Sequence, residues 1–211
     1  MSERDVSFTS GDLLLEGTLT IPEGTGPFPA VILCHPHPLY GGDMDNNVIR
    51  SLSEALAGAS LASLRFNFRG VGGSQGQYGH GRGEREDAGA AISFVCTLDE
   101  VDAAELGLAG YSAGAGFALP VGADDERIKA MAAVSPPFSM FDFSFLRACG
   151  KPKLLLLGSR DDLIPAGEFL EFCRTLPEPR EYETVEGADH FWWGYESHLA
   201  ARVAAFFTGT L

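Results

Sequence analysis

The stretch from Glu105 to Gly116 constrains the fold of this chain more than any other part of it. Leu106, Leu108 and Ala109 are typical of a strand that is buried in a sheet. Ser112 follows in the pattern G-x-S-x-G, and the small or apolar residues after it are typical of a packed helix. A buried strand, a tight turn and a helix in direct succession predict an α/β architecture.

The same turn suits a nucleophilic serine. Gly110 and Gly114 have no side chains, so strand and helix can close tightly around Ser112 on a strained backbone. The amide of Ala113 would then point to the place where an oxyanion forms. We therefore predict that Ser112 is a nucleophile and that Ala113 supplies one backbone N–H to an oxyanion hole.

A second G-x-S-x-G match surrounds Ser74. The chain has 26 glycines, so the pattern by itself is weak and its context must decide. Ser74 lies in a glycine-rich stretch, residues 70–83, with no strand directly before it and no helix-forming run directly after it. We interpret Ser74 as a loop residue.

Strand and helix patterns alternate along the rest of the chain. Besides the strand before Ser112, strands are predicted over 6–10, 13–21, 30–34, 60–68, 128–134, 153–157 and 180–185. Helices are predicted from a cap at Asp43 or Asp45 to about residue 57, over 84–98, after Ser112, over 166–176 and to about residue 207, with one more possible in 138–149. This pattern predicts a single domain, residues 1–211, with a mostly parallel sheet of about eight strands, an N-terminal antiparallel hairpin and helices on both faces.

The polar loops follow the strands in a recognisable order. The motifs are residues 35–42, 69–74, 110–114, 158–165 and 187–191, and they place a serine, then an aspartate, then a histidine along the chain. Over nearly its whole length the sequence resembles the α/β-hydrolase superfamily, and within it small lidless bacterial serine hydrolases near the dienelactone hydrolase and carboxylesterase groups. Dienelactone hydrolases carry a cysteine where Ser112 stands, which puts lactone opening of that kind in doubt.

The resemblance implies a catalytic triad. Ser112 would attack a carbonyl carbon, and His190 would accept its proton and pass it to the leaving group. The family spacing matches Asp161 as the acid that orients His190. The alternatives for the acid are Asp162, Asp142 and Asp189, and His198 is interpreted as a surface residue.

The loop of residues 35–42 is expected to supply the second oxyanion donor. Its prolines carry no N–H, which leaves the amides of His37, Leu39 and Tyr40, and the resemblance favours His37. His35 and His37 could instead form a metal pair, but no third ligand with suitable spacing accompanies them. We therefore expect no metal and no cofactor.

The substrate pocket is expected to be open, because the segment between residues 134 and 153 is too short for a separate lid domain. Candidate apolar walls are Leu39, Tyr40, Tyr111, Phe138, Phe141, Phe191 and Trp192.

Composition restricts the partners. The net charge of −14 argues against nucleic acid and anionic membrane surfaces. The four cysteines are scattered, and no secretory or membrane-spanning run is evident, so we expect a cytoplasmic protein. We expect this protein to be a monomer or a homodimer. The expected function is hydrolysis of small carboxylic esters through an acyl-enzyme. The alternatives are thioester or small-amide hydrolysis, or a catalytically silent binding module.

Overall fold

The computed structural model describes residues 1–211, with eight strands and five helices. The strands are β1 (Ser2–Ser10), β2 (Leu13–Ile21), β3 (Phe28–Cys34), β4 (Ala62–Phe66), β5 (Val101–Tyr111), β6 (Ile128–Val134), β7 (Lys153–Gly158) and β8 (Arg180–Val185). The helices are α1 (Asn47–Gly58), α2 (Arg82–Val95), α3 (Ala113–Asp124), α4 (Ala166–Arg174) and α5 (Glu196–Thr210). None of the helices is both long and apolar enough to cross a bilayer.

All eight strands form one sheet in the order β1-β2-β4-β3-β5-β6-β7-β8. Strand β2 pairs antiparallel with both β1 and β4, and every other neighbouring pair is parallel. The predicted sheet with its N-terminal hairpin is therefore confirmed. The carboxyl ends of the parallel strands share one edge, where open α/β sheets bind their ligands.

The central strands are buried on both faces. In β3, Ala30, Ile32 and Cys34 contribute to one hydrophobic core, which α2, α3 and α4 cover, while Val31 and Leu33 contribute to the other, which α1 and α5 cover. Because successive side chains of a strand alternate between faces, a strand covered on both sides is apolar throughout. The predicted placement of helices on both faces is confirmed.

The cap of helix α1 is Asn46, one residue after Asp45 and three after Asp43, the two predicted caps. The side chain of Asn46 accepts a hydrogen bond from the Val48 amide at 3.0 Å and caps the helix. Asp43 instead accepts from the amide of Asp45, and the Asp45 carboxylate forms an ion pair with Arg65 at 2.5 Å. The predicted cap was wrong because both carboxylates have other partners.

The β6–β7 connection contains no long helix. Only residues Ser144–Arg147 form a short 3₁₀ turn. The carboxylate of Asp142 accepts hydrogen bonds from the backbone and hydroxyl of Ser144, a local turn that competes with helical hydrogen bonding. The connection is thus a compact loop, and no cap domain is inserted into the sheet.

Ser74 lies in the glycine-rich loop, as predicted, and is buried there. Its hydroxyl donates to the Asn67 carbonyl at 2.7 Å and accepts from the Glu16 amide at 3.0 Å. These bonds tie the loop to β2 and leave the hydroxyl no free access to a substrate.

Candidate active site

The turn between β5 and α3 holds Ser112 at the edge of the sheet. Its backbone has a φ of +52°, a region that non-glycine residues rarely adopt and that often marks a functional site. A Cβ at Gly110 would collide with the backbone of Ala115, and one at Gly114 with the carbonyl of Cys34. The two glycines of the motif are therefore required by the close packing of α3 against β5 and the end of β3.

Ser112, His190 and Asp161 form one hydrogen-bonded chain, although 29 and 78 residues separate His190 from its two partners along the sequence. The Oγ of Ser112 lies 3.0 Å from Nε2 of His190, and Nδ1 of His190 lies 2.8 Å from Oδ2 of Asp161. These distances allow proton transfer from the hydroxyl to the imidazole with the carboxylate orienting the ring.

The two neighbouring aspartates have different environments. The carboxylate of Asp161 is fully buried, and its Oδ1 accepts from the amides of Leu163 and Ile164, both at 3.0 Å. These bonds fix the carboxylate so that Oδ2 faces His190. Asp162 is exposed and neither bonds to His190 nor caps α4, which has no side-chain cap. Asp142 and Asp189 are occupied in local turns.

The loop that carries His190 is fastened to the turn that carries Ser112. The hydroxyl of Tyr111, the residue before Ser112, donates to the main-chain carbonyl of His190 at 2.7 Å in a buried contact. Burial raises the pKa of the Tyr111 phenol further above its ordinary value, so it remains a donor. Ser112 and His190 are thus linked through the backbone as well as through their side chains.

Two further bonds hold the same loop. The indole Nε1–H of Trp192 donates to the hydroxyl of Ser135 at 3.1 Å, and both residues have positive φ angles, +62° and +47°. The side-chain amide of Asn47 donates to the Phe191 carbonyl at 3.0 Å. The histidine is therefore positioned from β5, from the end of β6 and from the start of α1.

Two residues that line the cavity with Ser112 have backbone amides without a protein acceptor. Ala113 is the first residue of α3, so its N–H has no partner within the helix. The N–H of His37 donates to no protein atom, and both residues line the same cavity as Ser112. Free amides at a helix N-terminus and in the facing loop are a suitable pair of donors for an oxyanion.

The two histidines of the first loop are both engaged in hydrogen bonds. Nδ1 of His35 donates to the Pro36 carbonyl at 2.7 Å, and its Nε2 accepts from the Phe68 amide at 3.0 Å. Burial lowers the pKa of His35 to about 4. Since backbone groups occupy both ring nitrogens of His35, this side chain has no lone pair for a metal.

The ring of His37 supports its own backbone. Its Nδ1 accepts from the Leu39 amide at 3.2 Å, and its Nε2 lies 3.1 Å from the hydroxyl of Tyr78. Partial burial lowers the pKa of His37 below its ordinary value, which favours the neutral ring, whose Nδ1 can accept from Leu39 while Nε2–H donates to Tyr78. The imidazole thereby caps the short turn Pro38–Tyr40 that follows the predicted oxyanion donor.

A cavity of about 560 Å³ opens over Ser112. Its lining residues are Pro36, His37, Tyr40, Gly41, Gly42, Asn46, Tyr111, Ser112, Ala113, Pro137, Ser139, Met140, Leu163, His190 and Phe191. The lining contains no aspartate, glutamate, lysine or arginine side chain.

The predicted pocket residues do not all lie on this cavity. Tyr40, Tyr111 and Phe191 line it, whereas Leu39 is 65% exposed and lies outside it. Phe138 and Phe141 line a neighbouring cavity. Trp192 is completely buried in the core beneath the histidine loop, because its indole N–H reaches inward to Ser135.

Several residues of the site were not predicted from the sequence. Met140 and Leu163 line the cavity but sit in loops whose path the sequence pattern did not define. The anchoring roles of Tyr111, Ser135 and Asn47 also depend on contacts between distant segments. The only local signal was the position of Tyr111 next to the serine.

The sheet order, the turn around Ser112 and the uncapped cavity define this protein as an α/β hydrolase without a lid. The sequence profile of the family described as X-Pro dipeptidyl-peptidase (S15 family) matches residues 11–160. The chain therefore belongs to this family of α/β hydrolases, and the superfamily resemblance predicted from the sequence is confirmed.

Individual relatives agree with this assignment. The uncharacterized protein RP471 of Rickettsia prowazekii is 36% identical over 171 residues, which cover 77% of this chain and 71% of the relative. An alpha-beta serine hydrolase homologue from Coxiella burnetii superposes with a TM-score of 0.84 at 34% identity, covering 96% of this chain and 98% of the other. XC6422 from Xanthomonas campestris, described as a serine hydrolase without lid, gives a TM-score of 0.85 at 27% identity, covering 97% and 93%.

Proposed function

We propose that this hydrolase cleaves small, uncharged carboxylic esters through an acyl-enzyme on Ser112. One observation carries the proposal: Ser112, His190 and the buried Asp161 form a chain of hydrogen bonds beside a mainly apolar cavity. Ser112 and His190 line this cavity, and no acidic residue, lysine or arginine does. In this proposal His190 is the general base and then the general acid, and Asp161 orients it. The amides of Ala113 and His37 stabilise the oxyanion.

The lining of the cavity favours ester substrates over X-Pro peptides, although the family carries the name of a dipeptidyl-peptidase. An enzyme that releases dipeptides must recognise the free ammonium group at the N-terminus of its substrate. A buried ammonium needs a carboxylate or several acceptors as partners. No carboxylate lines the cavity over Ser112, and the carboxylates of the adjoining cavity, Asp142 and Glu168, are exposed. An uncharged ester makes no such demand, and an alkoxide leaves more readily than an amide nitrogen.

The experiment that tests the proposal combines labelling with turnover. A fluorophosphonate probe should label the protein, and a panel of short esters, thioesters and amides should show turnover of the esters. Ser112→Ala should abolish labelling and reduce ester turnover to what the oxyanion hole alone can give.

The other serine in a G-x-S-x-G pattern provides the matched control. Ser74→Ala removes two buried hydrogen bonds and should lower the free energy of unfolding by about 1–3 kcal/mol, yet retain labelling. Labelling that survives in Ser112→Ala would contradict the assignment of the nucleophile. Turnover of thioesters or amides in preference to esters would change the substrate class, and absence of both labelling and turnover would indicate a binding module.

A further inference from the structure

A second cavity lies beside the one over Ser112. It has a volume of about 560 Å³, and Ser139 and Met140 line both cavities. Met140 is 53% exposed, so a flexible side chain at the surface separates the two. Because they share these two lining residues, the cavities adjoin each other.

The floor of this second cavity, which we call the Phe138 groove, is made of phenylalanine rings. The ring centroid of Phe138 lies 4.8 Å from that of Phe172 and 5.4 Å from that of Phe143. Phe143 is buried, while Phe138 and Phe172 are half-buried and present part of their ring surface to solvent. Such a floor offers edge and offset contacts to another aromatic ring.

The rim of the Phe138 groove carries one cation without an acidic partner. The guanidinium of Arg147 lies 5.5 Å from the centre of the Phe172 ring, and its Nε donates to the hydroxyl of Thr175 at 3.2 Å. The groove is also lined by Asp142 and Glu168, and neither these carboxylates nor Arg147 takes part in an ion pair. The remaining N–H groups of Arg147 are available to a hydrogen-bond acceptor.

We propose that the Phe138 groove binds an aromatic ring of the ester substrate, and that the ring is uncharged and carries a hydrogen-bond acceptor that Arg147 recognises. The inference rests on the proposed function, because it is continuity with the cavity over Ser112 that brings part of an ester into the groove. Asp142 and Glu168 in the same lining and the net charge of −14 disfavour a carboxylate on the ring, whereas a methoxy or carbonyl oxygen meets no such repulsion.

Two ester pairs test this inference from the two sides of the scissile bond. On the acyl side, methyl para-methoxyhydrocinnamate is compared with methyl propanoate. On the alcohol side, para-methoxyphenethyl acetate is compared with ethyl acetate. In at least one pair the aromatic member should have a kcat/KM about tenfold higher or more, since a ring buried in the groove adds binding energy. The pair that shows the preference identifies which part of the ester occupies the groove.

Substitutions in the Phe138 groove then test whether the preference for the aromatic ester arises there. Phe172→Leu and Phe172→Ala should bring the ratio of kcat/KM within the preferred pair towards one. Arg147→Met should remove the advantage of the methoxy compound over its unsubstituted phenyl analogue. The matched control is Phe145→Ala, because Phe145 belongs to the same aromatic cluster but lines neither cavity. Phe145→Ala should keep the ratio of the parent protein.

The inference is overturned if neither pair favours the aromatic ester, or if the preference persists in both Phe172 variants while these remain folded. Failure of the proposed function is recognised separately by titrating Ser112→Ala with methyl para-methoxyhydrocinnamate and para-methoxyphenethyl acetate in a calorimeter. Binding that Phe172→Leu weakens supports the groove even where no ester is hydrolysed. Absence of binding to Ser112→Ala together with absence of turnover overturns both proposals.

Discussion

Single hydrogen bonds decide which of two adjacent carboxylates can act on His190. The carboxylate of Asp161 is buried and held by the amides of Leu163 and Ile164, whereas Asp162 is exposed to solvent. The side chains of neighbouring residues in an extended loop point in different directions. One of the two aspartates can therefore be buried against His190 while the other faces solvent. The difference between them is therefore conformational rather than chemical.

This difference predicts the ranking of two isosteric variants. Asp161→Asn should lower kcat by several orders of magnitude, roughly 10⁴-fold as in the serine-protease triad, because an amide favours the wrong tautomer of His190. Asp162→Asn should cost less than about tenfold. Both are measured as kcat for the best ester of the panel. The opposite ranking would assign the acid to Asp162, and near-parental activity in both variants would exclude this loop as its source.

The hydroxyl of Tyr111 predicts a second residue-level effect. Tyr111→Phe leaves the buried His190 carbonyl without its donor and should let the histidine move relative to Ser112. We expect kcat to fall by about tenfold or more while KM stays within about twofold, since the cavity wall keeps its ring. Steady-state kinetics on one ester measure both constants.

A buried hydroxyl far from the site separates catalytic positioning from stability. Ser53 bonds to Thr20 at 2.9 Å and to Ser63 at 2.8 Å in the interior. Ser53→Ala should lower the free energy of unfolding by about 1–3 kcal/mol and leave kcat unchanged. If Tyr111→Phe also changed only stability, the hydroxyl of Tyr111 would have no role in positioning the base.

At the scale of elements, the ends of β3 and β4 are joined through the ring of His35. The ring accepts from the amide of Phe68, just beyond β4, and donates to Pro36, just beyond β3. These bonds fix the start of the loop that carries His37. Because the ring is buried, its neutral form belongs to the folded state, and protonation favours unfolding.

The pH dependence of stability follows from this burial. The pKa of His35 is about 4 in the folded chain, below the value of roughly 6.5 for an unperturbed histidine. The unfolded chain therefore binds more protons below about pH 6.5, and the stability due to the neutral ring is lost as the pH falls towards 4. At about pH 5 the loss should be about 2 kcal/mol.

Urea unfolding at about pH 7.5 and about pH 5 measures this contribution. Carboxylates also contribute to any decrease at low pH, so the parent protein is compared with His35→Gln, which lacks the titrating ring. The parent should lose about 2 kcal/mol more than His35→Gln between the two pH values. An equal loss in both proteins would show that His35 does not titrate in this range.

At the scale of the whole molecule, the charge predicts selection between neutral and anionic esters. The net charge of −14 repels an anion approaching the cavity, and this repulsion is screened by salt. Diethyl succinate should have a higher kcat/KM than the monoethyl succinate anion. The ratio should fall by roughly twofold or more between about 20 mM and about 300 mM NaCl, as the Debye length falls from roughly 20 Å to roughly 5 Å.

A ratio that does not change with salt would contradict this expectation. Selection would then arise from the lining of the cavity, where burial shields short-range contacts from screening, and not from the overall charge. The neutral ester measured alone at both salt concentrations provides the internal control, because its kcat/KM should change little.

The order of the elements and the tight turn around Ser112 could be predicted from the amino-acid sequence. Strands buried on both faces are apolar throughout, and the turn around Ser112 needs its glycines, so both leave a local signal. Chain order and the family motifs also indicated His190 and Asp161, which the structure places in hydrogen-bond contact with each other and with Ser112.

The surroundings of these residues could not be predicted from the sequence. The 138–149 segment carries apolar residues that fit a helix or a packed loop equally well, and the rings it packs against belong to α4. Trp192 is an aromatic residue of the kind expected in a pocket wall, but it faces the core. Its indole N–H donates there to the hydroxyl of Ser135, the residue after β6. Local propensity cannot encode such contacts, since the free energy that selects them comes from burial and hydrogen bonding between segments far apart in the chain.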